Sequence, residues 1–192
     1  MIKLKMYDYI TINERRYLYK EAMEFALKKK NGKILNRTNV IFLPNDTEEE
    51  TNEKLKYHAK LRYIGSVGQR LFINYIRKEI GYIRHDIIYR TKKGNIGDVD
   101  TITPSGLQGD IKTSFFNNMN IPYNDVINND FFVKIKLNTY TKEFTICGFI
   151  TREEILNNVE PTIKGDNYIV YNVKEYQLNT NIEQLKAMYI KK

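Results

Sequence analysis

The chain has 192 residues, 42% of them hydrophobic, which suits one domain with a sizeable core and an elaboration at one end. Its 31 Lys and Arg against 23 Asp and Glu leave a formal charge of +8, which favours polyanionic partners through counterion release and ranks nucleic acid ahead of acidic proteins or membrane surfaces. A lone cysteine, Cys147, excludes an internal disulfide and a multi-cysteine zinc site; no apolar run reaches membrane-spanning length and no signal-peptide core follows Met1, so a cytoplasmic protein with no membrane partner is expected.

Over residues 11–30 the apolar Leu18, Ala22, Phe25 and Ala26 recur at helical spacing and Asn31-Gly32 supplies a stop, which predicts an amphipathic helix. Residues 40–43 read as a short strand ended by Pro44. Glu48-Glu49-Glu50 then opens a polar helix, whose N-terminus favours acidic side chains. Gly65 reads as a break, and a new helix starts near Ser66, where Ser66-Val67-Gly68-Gln69 has the form of a capping box. Its apolar face is marked by Ile73, Ile76 and Ile80.

After Gly81 the period changes to two, and residues 82–89, 96–102, 107–113, 131–137 and 144–150 all read as strands. A capping box at Thr151 opens a short helix; a strand at 168–173 and a C-terminal helix from Asn181 follow. The order is α+β: residues 1–64 as an N-terminal helical extension packed on the core, and residues 65–192 as a core of mixed, mostly hairpin-connected sheet flanked by helices, one compact domain overall.

Between two of these strands, Thr103-Pro104-Ser105-Gly106 is suited to a tight turn, which brings Asp100 and Asp110 to the same end of the sheet. Alternation puts Asp110 and Lys112 on one face. Two carboxylates and an ammonium then converge. Magnesium prefers six oxygens at about 2.0–2.1 Å and takes one or two carboxylates, waters and a substrate phosphate. Asp100 and Asp110, with the backbone carbonyl of Ile111, are the expected ligands of Mg²⁺, for which Mn²⁺ can substitute. Lys112 is placed to stabilise charge on a phosphorus under attack by water.

Asp100 followed by Asp110-Ile111-Lys112 resembles the PD-(D/E)xK nuclease superfamily, whose restriction-endonuclease-like core is a helix followed by a strand hairpin carrying these residues. Asp98 gives an alternative register for the first carboxylate. The resemblance implies a metal-dependent deoxyribonuclease, an endonuclease ahead of an exonuclease, with DNA as partner and a homodimer if both strands of a duplex are cut. Members often carry a Gly-Glu pair on the helix before the hairpin; here it reads Gly68-Gln69, which places Gln69 among the catalytic candidates with a weaker ligand than Glu. Thr113 and Ser114 are candidates for phosphate contact, as are Lys92 and Lys93 on a loop. Neither His58 nor His85 has a partner histidine at metal-binding spacing, so structural roles are expected for both.

Two rival readings follow from the same residues. One is a catalytically impaired nucleic-acid-binding protein that keeps the nuclease fold, which Gln69 supports. The other is an interaction protein of a phage or mobile element in which the acidic pair is coincidental. An intracellular bacterial or phage-encoded protein is the expected setting for all three.

Overall fold

A computed structural model describes residues 1–32, 40–81, 100–164 and 168–190. They divide into two compact units, one formed by Ile10–Val67 and the other by Met1–Tyr9 with Gly68–Lys192.

In the first unit, helix α1 (Ile12–Lys30) starts at a capping box in which Thr11 accepts from the Glu14 amide and Glu14 accepts from the Thr11 amide. It ends in Lys28, Lys29 and Lys30, whose charge suits the negative end of the helix dipole. Ala22 and Ala26 are small enough to let α1 pack closely on Leu55 and Ala59 of helix α2 (Glu48–Ile80). The strand expected over residues 40–43 does not form. That segment is irregular: Phe42 turns onto the α1–α2 cluster, Ile41 and Leu43 are exposed, and the Val40 carbonyl meets His58 Nε2 at 3.0 Å.

Helix α2 runs unbroken through Gly65, where the sequence predicted a stop. A glycine inside a helix costs about 1 kcal/mol relative to alanine. Burial of Ile64, Val67, Leu71 and Phe72 along the same helix outweighs it. Ser66 and Gln69 are therefore mid-helix, and the Ser-x-x-Gln capping box is not made; the N-terminal box is instead Thr47 with Glu50.

The second unit holds two sheets. One has five strands in the order β1-β6-β5-β3-β2, with β1 (Ile2–Leu4), β2 (Thr101–Ile102), β3 (Gln108–Ser114), β5 (Phe131–Leu137) and β6 (Phe144–Thr151). The other has three in the order β4-β8-β7, with β4 (Met119–Pro122), β7 (Pro161–Lys164) and β8 (Tyr168–Val173). Short helices α3 (Tyr123–Asn128), α4 (Arg152–Asn158) and α5 (Ile182–Ala187) complete an α+β arrangement with a mixed sheet flanked by helices.

Hairpins join β2 to β3, as the turn at residues 103–106 suggested, and also β5 to β6 and β7 to β8; strands β4 and β7 were not expected from the sequence. The exception is β3 and β5, which lie parallel, with Lys112 beside Lys134, because β4 and α3 intervene as a crossover. Residues 2–4 are an edge strand of this sheet; the sequence reading had grouped them with the helical extension. The strand expected at 82–89 and the start of the one at 96–102 lie outside the described residues, with His85, Lys92, Lys93 and Asp98.

The five-stranded sheet is covered on both faces. Phe132 and Ile150 meet Met119, Ile121, Tyr171 and Val173 of the smaller sheet, together with Val126 of α3 and Ile155 of α4. On the opposite face Phe72 of α2 and Phe131 of β5 both meet the Tyr189 ring edge-on, at 6.0 and 6.2 Å between centroids.

Candidate active site

Alternation along β3 sets Gly109, Ile111 and Thr113 toward α2, and Asp110, Lys112 and Ser114 toward the smaller sheet. Two glycines fix the α2 side. A Cβ on Gly109 would lie 2.3 Å from the Phe131 ring, and one on Gly68 would lie 2.0 Å from Thr113 Oγ1, so helix and strand meet where neither has room for a side chain. That contact sets Gln69, the next residue of α2, beside the start of β2.

Asp100 stands there. Its amide donates to the Gly109 carbonyl at 2.9 Å, which ties it to β3. Its carboxylate accepts from Gln69 Nε2 through Oδ1 and from the Ile111 amide through Oδ2, both at 2.8 Å. Backbone groups of one residue point to the same edge of a strand, so the Ile111 carbonyl is turned toward this edge as well. The Asp110 carboxylate is near enough to Asp100 for its charge to act on it.

Lys112 Nζ lies 2.6 Å from Asp110 Oδ2 and 2.8 Å from Asp125 Oδ2 on α3. Burial, and then the neighbouring Asp110 charge, hold the Asp100 carboxyl well above its ordinary range, and burial raises Asp110 against the pull of Lys112. Both shifts favour the neutral form, more strongly at Asp100. Burial alone would lower Lys112, but Asp110 and Asp125 outweigh it and push the ammonium above its usual value. Lys112 is a permanent cation and a hydrogen-bond donor, with no capacity to act as a base near neutral pH.

Among the described residues no group of three His, Cys, Asp or Glu side chains is arranged to hold a metal ion. The set here is smaller. It comprises two carboxylates pressed together in a buried site and one carbonyl on the same edge, all hard oxygens. Two neighbouring carboxylates whose charged forms burial disfavours are a pair that a divalent cation would relieve, and Mg²⁺ needs few protein ligands because it keeps several waters. The donor set fits that ion.

Of the residues singled out from sequence, Asp100, Asp110, Ile111, Lys112 and Gln69 come together, and Ser114 continues their face of β3. Thr113 does not join them: it faces Gly68, and its hydroxyl is buried without a hydrogen-bond partner. Asp98, Lys92 and Lys93 fall outside the described residues. Sequence reasoning missed Asp125, although Pro122 just ahead of a first-turn acid is a helix-start signal. It also missed Lys134, a charge inside the apolar run Phe131–Leu137 that is 1% exposed. No family model, curated protein sequence or solved structure matches the chain, so the reading of its function rests on this geometry.

Proposed function

We propose that the chain is a metal-dependent nuclease of the PD-(D/E)xK kind, with a restriction-endonuclease-like core, that hydrolyses DNA phosphodiester bonds as an endonuclease. The observation that carries this reading is the convergence of Asp100, which accepts from the Ile111 amide at 2.8 Å, with Asp110, whose carboxylate lies 2.6 Å from Lys112 Nζ. Asp100, Asp110 and the Ile111 carbonyl would hold Mg²⁺ or Mn²⁺; when bound, the cation supplies Lewis acidity and a water made nucleophilic near neutral pH. Gln69 and the Ile111 amide orient Asp100 by donating to both of its oxygens. Asp125 steers the Lys112 ammonium, which donates to a phosphate oxygen where negative charge grows. The surplus of basic residues favours docking of the strand.

Cleavage of labelled linear, circular, branched and single-stranded DNA with Mg²⁺ or Mn²⁺ against EDTA tests this. Metal-dependent cutting that Asp110→Ala and Lys112→Ala abolish is expected, and cutting by either variant at the parent rate would end the proposal. One observation favours a second reading, a binding protein with an impaired centre: the amide of Gln69, where a ligating carboxylate is common, spends its donor on Asp100. DNA binding without cutting, restored to cutting by Gln69→Glu, would select it.

A further inference from the structure

Lys134 lies on the same face of the sheet as Asp110 and Lys112; Lys136, two residues along β5 on that face, is paired with Glu175 at 3.6 Å. Lys134 stands in parallel register beside Lys112 on β3 and opposite Gly148 on β6, where the β5–β6 register shifts between Lys134 and Ile135. Gly148 has φ +154°, and a Cβ there would lie 2.5 Å from the Asn179 carbonyl. Bulges of this kind re-aim side chains next to functional sites. The Lys134 stem is buried between the two sheets, and its Nζ donates to Ser114 Oγ and, at 3.1 Å, to the Asn118 carbonyl.

An ammonium has three donors, and two are used here. Among the described residues no carboxylate comes within ion-pairing distance of Lys134, in contrast to Lys112, which has two. A buried charge without a counter-charge is costly unless something supplies one. Burial accordingly lowers this lysine to about 8, still protonated in the main at neutral pH.

Ser114 Oγ is the exit from that arrangement. It accepts from Lys134 and, at 3.2 Å, from the Phe116 amide, while its own proton finds only the Phe116 carbonyl at 3.4 Å. Ser114 is half-buried, and Phe116 and Asn117 beside it are exposed. A hydroxyl whose oxygen is bound by an ammonium is a polarised donor, so the charge of Lys134 reaches the surface through Ser114. Along one face of a strand, Lys112 and Ser114 are about 6.7 Å apart, the order of the spacing between neighbouring phosphates of one nucleic-acid strand.

We propose that Lys134 and Ser114 form a second phosphate subsite, occupied by the backbone phosphate next to the one held at Asp100, Asp110 and Lys112. Ser114 makes the contact and Lys134 is its positioning residue. The inference rests on the nuclease reading for the identity of the strand, but the anion site stands on its own geometry.

The test uses inorganic sulfate, followed by backbone amide NMR of the full chain in EDTA, and then anisotropy of a labelled single-stranded oligonucleotide under the same conditions. Sulfate should shift the amides of residues 114–118 in the wild type and in Asp110→Asn, with at least tenfold weaker affinity in Ser114→Ala and Lys134→Met. The oligonucleotide should bind more weakly in Ser114→Ala and should lose about 0.7 from the slope of log affinity against log salt in Lys134→Met, the signature of one phosphate no longer neutralised on a single strand. Sulfate affinity unchanged in Ser114→Ala, or shifts confined to other residues, would overturn the subsite whether or not Lys134→Met folds. A sulfate effect with no change in the oligonucleotide slope would also overturn it, because a free oxyanion rather than a strand would then be the ligand. Sulfate and oligonucleotide behaving as expected in a protein that never cuts DNA would count against the nuclease reading alone.

Discussion

Gly109, Ile111 and Thr113 on one face of β3, and Asp110, Lys112 and Ser114 on the other, are six consecutive residues in two kinds of surroundings. Toward α2 the contacts are settled by shape: Gly109 makes room for the Phe131 ring, Gly68 for Thr113, and Ile111 is buried. Toward the smaller sheet they are settled by charge, with two carboxylates raised chiefly by burial, and a lysine spanning Asp110 and Asp125. The comparison teaches that a tightly seated face allows the opposite one to keep ionisable groups in an arrangement they would not choose alone.

The largest effect that would sharpen this comparison is a split between activity and stability on the charged face. Asp110→Asn should lower metal-dependent cleavage by about 10²-fold or more while leaving the metal-free melting temperature unchanged or higher, since it removes one member of a crowded carboxylate pair. If the variant instead unfolds readily and still cleaves, the acidic pair is a structural device and the contrast between the faces fails.

On the packed face the order is reversed. Gly68→Ala pushes a methyl into Thr113, against a helix and a strand that both resist movement, and should cost about 2–3 kcal/mol in denaturant melts. Gln69 moves with it, so cleavage per folded molecule should drop as well; a variant as stable as the parent would show that α2 is not seated by this contact.

Protons give a subtler separation. Asp100 is raised in the folded state above its ordinary 3.8, so the metal-free fold binds more protons than the unfolded chain over that interval. Its contribution is fully favourable below 3.8 and is lost as pH climbs through the raised value. On the proposed function, Mg²⁺ would compete with the same proton. Affinity by calorimetry should therefore rise with pH, with proton release seen across buffers of different ionisation enthalpy, and Asp100→Asn should remove both trends. Release of no proton would mean the cation does not contact this pair.

The smallest effect is expected at Thr113. Its buried hydroxyl makes no hydrogen bond, so Thr113→Val should leave stability unchanged or raise it by about 1 kcal/mol, with cleavage intact. A marked loss of DNA affinity would return this residue to the phosphate contacts and weaken the distinction between the faces.

What could be read from the sequence follows from how local each signal is. Strands β3, β5 and β6 and the α4 capping box show as alternation and as Thr-x-x-Glu within a few residues, and all of them form. Asp100, Asp110 and Lys112 were legible because a hairpin joins them. Asp125 was not, since α3 is only 6 residues long and its partner Lys112 lies 13 positions earlier across a parallel crossover that no local pattern announces. Gly65 carried a stop signal that tertiary packing overrode, and no local pattern singled out Lys134 within its apolar strand. In each miss the deciding contact was made by another element.

The register that sets Ile2 opposite Ile146 also orders events in time. Strand β1 is synthesised long before its hydrogen-bonding partner β6, and contacts of such sequence separation form slowly. Until β1 docks, the outer side of β6 presents unpaired backbone between the buried side chains of Phe144 and Ile146. A segment made well ahead of its partner is thus among the later ones to be placed, and the interval between those two moments is when this chain is most open to pairing with another copy of itself.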